Sequence, residues 1–339
     1  MLFRSKNQKK YSWNGIDKHS IYGKFGYAFS NHIWTGDVNL DLWIGNYNRT
    51  EIGGEGHVLI DSKDNWLIGE EENTFSSFFI KEDFKDYFKK EGWSIHLAQY
   101  MNKNLRVKME YVHDKYYSAE KKTDWALFGG DKKFRFNPGI DEGEMNSAIF
   151  SINYISVRGK DKAPNGWNVG ASYEIGRGYF DFRRAIVDLR RYQKLSDDIR
   201  LNMRLAAGSS ENYLPLQRTF DLGGLGTIPA LRFKELRGGN RMLLGNAELI
   251  VNIPDGDDFL PFEIFNGHDL ILFYDIGSLR YARPETSILD GFENLKMDDF
   301  VSDLGVALSF NRGSIRIGAS FRLDRSESAK FFLRLTQPF

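Results

Sequence analysis

Apolar and polar residues alternate in short runs along most of the chain. Val38, Leu40, Leu42 and Ile44 alternate with Asn39, Asp41 and Trp43. Trp93, Ile95 and Leu97 alternate with Ser94, His96 and Ala98, and Leu105, Val107, Met109 and Tyr111 with Arg106, Lys108 and Glu110. The rhythm returns at Ala148, Phe150, Ile152 and Tyr154, and again at Ile199, Leu201, Met203 and Leu205. In the last third it is clearest: Leu243, Ala247, Leu249 and Val251 oppose Asn246, Glu248 and Asn252, while Leu270, Leu272, Tyr274 and Ile276 oppose Asp275. Ile315, Ile317, Ala319, Phe321 and Leu323 likewise oppose Arg316, Ser320, Arg322 and Asp324. A period of two sends successive side chains to opposite faces, so each run predicts a strand with one apolar and one polar face. Turn-like clusters at 61–65 (DSKDN), 252–258 (NIPDGDD) and 311–313 (NRG) punctuate the strands. The helical candidate is 81–90 (KEDFKDYFKK), with Phe84, Tyr87 and Phe88 at helical spacing, read as a strand end or short loop helix.

About eleven such segments precede a glycine-rich stretch at 222–248 and five follow its start, which predicts about sixteen strands. The expected fold is all-β: one transmembrane antiparallel β-barrel spanning residues 1–339, with a lumenal loop at about 214–240. A soluble sandwich shows the same alternation. Three features favour the barrel: charged residues on the polar faces, aromatics near strand ends, and a chain that finishes on Phe339 inside a strand-like run. The mean hydropathy of -0.46 does not oppose a membrane, because a barrel shows lipid only every second residue. No apolar run reaches the roughly eighteen residues of a spanning helix.

Composition removes several classes. There is no cysteine, hence no disulfide, thiolate metal site or cysteine nucleophile. Lys+Arg and Asp+Glu balance at 46 each, so no net field draws nucleic acid. The six histidines lack metal-ligand spacing, no G-x-S-x-G elbow occurs, and GGLGTIPA sits in no strand-loop-helix unit. The expectation is therefore no catalytic site, no metal and no cofactor: not an enzyme. The basic N-terminus lacks a signal-peptide core. Either the chain is not exported, or its sequence starts after a removed or omitted segment, and the strands favour the second.

The stretch 222–248 (LGGLGTIPALRFKELRGGNRMLLGNAE) concentrates the candidate site. Gly223, Gly224 and Gly226 suit a backbone that turns tightly or passes close to other backbone. The stretch resembles the glycine-rich loop and following strand of the BamA/TamA superfamily, the bacterial surface-antigen barrels. LILFYDIGSL resembles the next strand of that family, and RLTQPF its aromatic C-terminal strand. The family triplet Arg-Gly-aromatic is not intact. Arg232 is followed directly by Phe233 and is aligned with the motif, while Arg237, before Gly238, is the second choice.

The resemblance implies a sixteen-strand barrel in the bacterial outer membrane, acting in outer-membrane protein assembly or translocation, without the usual periplasmic repeat domains in this sequence. The alternative is a structural anchor or passive pore, the barrel part of a larger protein. Implied partners are outer-membrane lipids and, in the assembly reading, client outer-membrane proteins or periplasmic partners. The expected lumenal latch pairs Arg232 with Glu248 and Asp275, whose strands would lie about 4.8 Å apart. The competing expectation pairs those carboxylates with lumenal arginines such as Arg316. Phe339 is expected to close the last strand as part of an assembly signal, or to act as an interfacial anchor.

Overall fold

In the computed structural model, residues 7–13, 17–29, 31–45, 49–122, 124–159, 164–253, 268–310 and 315–335 are described. Five strands open the chain around one helix: β1 (Asn7–Trp13), β2 (Asp17–Ala28), β3 (Ile33–Ile44), β4 (Thr50–Ser62), α1 (Glu70–Ile80) and β5 (Tyr87–Tyr100). Then come β6 (Leu105–Ser118), β7 (Gly143–Ile155), β8 (Gly166–Gly178), β9 (Phe182–Lys194) and β10 (Ile199–Asn212). Two short strands, β11 (Phe220–Leu222) and β12 (Leu236–Gly239), pair only with each other. The chain finishes with β13 (Arg241–Asn252), β14 (Asp269–Arg280), β15 (Val301–Phe310), β16 (Ile315–Arg322) and β17 (Lys330–Arg334).

Every strand of the main sheet pairs antiparallel with its sequence neighbour, and β10 pairs with β13 across the insert that carries β11 and β12. Ten strands before the insert and five after it make a fifteen-stranded sheet among the described residues, one short of the sequence count upstream. Strands of up to 14 residues exceed the roughly 9–11 needed to span a bilayer. The meander puts the long connections 63–86, 119–142, 213–240 and 281–300 at one end, and the short turns 101–104 and 195–198 at the other.

Burial decides between sandwich and barrel. The apolar members of the alternations face outward and are exposed or half-exposed: Val38 is 63% exposed, Ile95 55%, Leu205 63% and Ile317 53%. The opposite face is buried and largely polar, with Asp114, Ser147, Asn202, Arg204, Glu248, Asp275, Asp303, Arg316 and Ser320. A water-soluble sheet buries its apolar face; this one presents it all along the strands, which suits a hydrocarbon surround. The protein is a transmembrane antiparallel β-barrel, and no helix among the described residues is long and apolar enough to cross a membrane.

The interior also holds apolar packing. Phe220, Leu222, Ile228 and Leu231 of the insert pack with Ala206 of β10 and with Met242 and Leu244 of β13. A second cluster joins Phe88, Tyr116, Met145, Phe180, Phe182 and Leu214.

Of the two readings of 81–90, the strand end is the one the structure has. The helix lies just upstream, at Glu70–Ile80, and Tyr87–Lys90 begin β5. Glu70, Glu71 and Glu72 occupy the first helical turn, where the macrodipole favours anions, and Lys81 in the left-handed region (φ 55) ends the helix. Downstream, Phe88 is claimed by the sheet, its ring 5.6 Å from that of Tyr116.

Candidate functional site: the lumenal loop and its charge lock

The insert at 213–240 folds into the barrel. Gly223, Gly224 and Gly226 all have positive φ, at 124°, 84° and 91°. At Gly226 a Cβ would lie 2.3 Å from the carbonyl oxygen of Leu67, so the loop passes the 64–67 turn too closely for any side chain. The loop tip then docks on the wall by short polar contacts. Asn246 of β13 donates to the carbonyl oxygen of Thr227 at 2.8 Å, and the amide of Ala230 donates to Asp303 of β15 at 2.7 Å.

The cation that anchors the loop is Lys234. Its Nζ lies 2.7 Å from Asp64, 2.6 Å from Asp86 and 3.2 Å from Asp221. The side chain is only 2% exposed. Asp64 follows β4, Asp86 precedes β5 and Asp221 belongs to β11, so one ammonium joins the loop to both ends of the connection that carries α1. Two further cations complete the cluster: Lys63 reaches Asp221 at 2.7 Å and Arg135 reaches Asp86 at 2.6 Å. Three cations thus face three carboxylates. The Arg135 guanidinium also covers the ring of Phe233, 4.7 Å from its centroid, and Phe233 meets Phe84 edge-on at 6.1 Å.

Burial alone would discharge these groups. Burial opposes the charge on Lys234, but Asp64, Asp221 and Asp86 outweigh it and hold the lysine above its usual range. Burial likewise disfavours ionised Asp86 and Asp221, yet Lys234 and Arg135 around one, and Lys63 and Lys234 around the other, bring both below the ordinary carboxylate value. At Asp64 burial prevails and the carboxyl is raised.

The loop is tied elsewhere too. Arg218, just before β11, meets Glu174 of β8 at 3.1 Å and donates to the Tyr116 hydroxyl at 3.0 Å. Glu235 accepts from Arg322 of β16 at 2.7 Å and from Arg325 at 2.9 Å. From α1, Glu72 pairs with Arg334 of β17 at 2.9 Å and accepts the Leu335 amide at 2.9 Å. Loop and helix together hold the last three strands from within.

The expected arginine latch is therefore corrected. The Arg232 side chain is 81% exposed and, among the described residues, pairs with Glu235 at 3.8 Å. Arg237 is exposed and donates to the Lys234 carbonyl at 2.6 Å. Neither arginine is paired with Glu248 or Asp275. Glu248 pairs with Arg316 at 2.8 Å, as the competing expectation held, while Asp275 accepts from Asn246 at 2.7 Å and lies opposite Asp303 in register. The reason is local. A turn with Lys234 at φ 49 presents Lys234 inward and leaves Arg232 outside. In the sequence Asp64 and Asp86 read as turn and strand-end residues, and nothing in their spacing links them to Lys234. Phe339 lies outside the described residues.

The sequence matches no family model and no curated protein. The fold does have solved counterparts. The crystal structure of BamA from Haemophilus ducreyi lacking POTRA domains 1–3 superposes with a TM-score of 0.56 at 12% identity, over 97% of this chain and 73% of that one. The chain has the fold of the BamA barrel. CdiB from Acinetobacter baumannii aligns with a TM-score of 0.48 at 11% identity, over 94% of this chain and 52% of that one. Where the glycine-rich loop led to the expectation of an arginine pair, this chain has the lysine lock.

Proposed function

We propose that the chain is a non-enzymatic barrel of the bacterial outer membrane that acts on other polypeptides, in outer-membrane protein assembly or translocation, with the loop at 213–240 as its internal control. The BamA-like fold and the exposed apolar face support the setting. The observation that carries the reading is the grip on the C-terminal strands. Ala230 on Asp303, Glu235 on Arg322 and Glu72 on Arg334 are polar contacts, distinct from the apolar packing that seats the loop against β10 and β13. A passive pore fits less well. The cavity beside the loop tip, lined by Arg204, Glu248, Asp275, Arg316 and Arg334 among others, holds about 50 Å³. That is room for a few waters beside the docked loop.

The test is reconstitution of the purified chain in lipid vesicles. Faster folding of an added barrel client than in empty vesicles, together with low ion conductance, is expected. A steady open conductance with no effect on client folding would instead identify a passive pore, and neither activity would leave a structural anchor. The membrane setting is tested separately: Ile317→Arg on the outer face should cost about 2–4 kcal/mol of stability in the bilayer if it lies near the midplane, read from refolding into vesicles by heat-modifiable gel mobility.

A further inference from the structure

At the short-turn end of the lumen, three neighbouring strands bring together Asp41 of β3, Glu51 of β4 and His96 of β5. We propose that these three side chains form a binding site for a divalent transition metal of the zinc class. Their ligand atoms all lie within 4.8 Å of one another. His96 Nε2 is 3.1 Å from Glu51 Oε1 and 3.6 Å from Asp41 Oδ1. Tetrahedral zinc, with bonds of about 2.0–2.2 Å to nitrogen and oxygen, separates its ligand atoms by about 3.3 Å. The two edges to the imidazole straddle that value and the edge between the carboxylates lies within 4.8 Å, so inward rotation of the carboxylates completes the set and a fourth position remains for water.

Each carboxylate is held by one oxygen and presents the other. Ser20 donates to Asp41 Oδ2 at 3.3 Å, while Arg106 and Tyr100 donate to Glu51 Oε2 at 3.2 and 3.4 Å. Asp41 Oδ1 and Glu51 Oε1 are thereby left toward the imidazole. Such outer partners are what orient metal ligands. Asp41 Oδ1 is buried and has no hydrogen-bond partner among the described residues, an orphaned acceptor that a cation would satisfy. The backbone below makes the convergence possible: a Cβ on Gly53 would sit 2.3 Å from His96 Cε1 and 2.4 Å from Asp41 Oδ1. With neutral histidine, two carboxylates face one guanidinium, so a cation is drawn in by charge, and the imidazole selects a borderline ion over calcium or magnesium.

The alternative occupant of this geometry is a proton, with His96 bridging the carboxylates as a donor. Zinc titration of the EDTA-treated, tag-free, detergent-folded chain against a chromophoric chelator separates the two, with cobalt absorption reporting coordination. Expected is one equivalent bound with a tetrahedral cobalt spectrum, lost in Asp41→Asn and His96→Ala. Ser20→Ala, which alters only an outer partner, should weaken binding roughly 10–100-fold, and it keeps the test alive if a ligand variant misfolds. His32→Ala, at an exposed histidine, should change nothing. No stoichiometric uptake by the unaltered chain, uptake unchanged in Asp41→Asn, His96→Ala and Ser20→Ala, or equal loss in His32→Ala would overturn the site.

Discussion

The two ends of the lumen handle buried charge in opposite ways. At the long-loop end, Lys234, Lys63 and Arg135 face Asp64, Asp86 and Asp221, and the cluster is neutral. At the short-turn end, Asp41 and Glu51 meet one guanidinium, Arg106, and one histidine, so the carboxylates outnumber the fixed cations. The first arrangement is balanced in charge and works as a structural lock. The second is incomplete and invites a cation. The difference teaches that counting charges within a cluster, rather than noting that charges are present, distinguishes a fastening from a site.

The most forceful way to break this contrast is Lys234→Met. It leaves three carboxylates to two cations in a buried setting, and removing one partner of such a pair costs about 3–5 kcal/mol. Denaturation of the detergent-folded barrel should show that loss, and limited proteolysis should cut the loop sooner.

Acid and base act on the same lock less abruptly. Asp86 and Asp221 have folded values below their unfolded ones, so their contribution is present above the ordinary aspartate range near 4 and is lost as pH falls through the folded values. Lys234 runs the other way: raised in the fold, it contributes fully below the usual lysine value near 10.4 and fades as pH climbs past its folded value. Asp64, raised by burial, offsets part of the acid effect, since an acid with a raised value favours the fold at low pH. Loop protection measured against pH should therefore form a plateau bounded by acid and alkaline release. A flat profile at both extremes would contradict the lock.

A matched pair of neutralising substitutions sharpens the comparison. Asp221→Asn removes a charge from the balanced cluster and should cost about 1.5–3 kcal/mol, the worth of hydrogen bonds to charged groups. Asp41→Asn, measured in EDTA, relieves a like-charge neighbour and should stay within about 0.5 kcal/mol or stabilise slightly. Equal destabilisation would mean that the two clusters are alike. The smallest effects belong to the arginines of the loop surface. Arg232→Ala and Arg237→Ala should each change stability by less than about 0.5 kcal/mol, since exposed pairs contribute little.

What the sequence determined by itself is what depends on periodicity and local backbone demand. Alternation at Val38 to Ile44 and at Ile315 to Leu323 assigned strands and faces because a pleat admits only two side-chain directions. Gly223, Gly224 and Gly226 marked the strained loop because positive φ excludes most other residues. Tertiary structure alone decided which charges meet. Lys234 lies 148 residues from Asp86, and His96 lies 45 from Glu51, so no spacing along the chain announces either contact. The local pattern put Glu248 on the polar face, but the curl of the sheet gave it Arg316, 68 residues away, in place of the loop arginine. A carboxylate advertises only that it needs a cation; which cation reaches it is settled by how the strands close around the space between them.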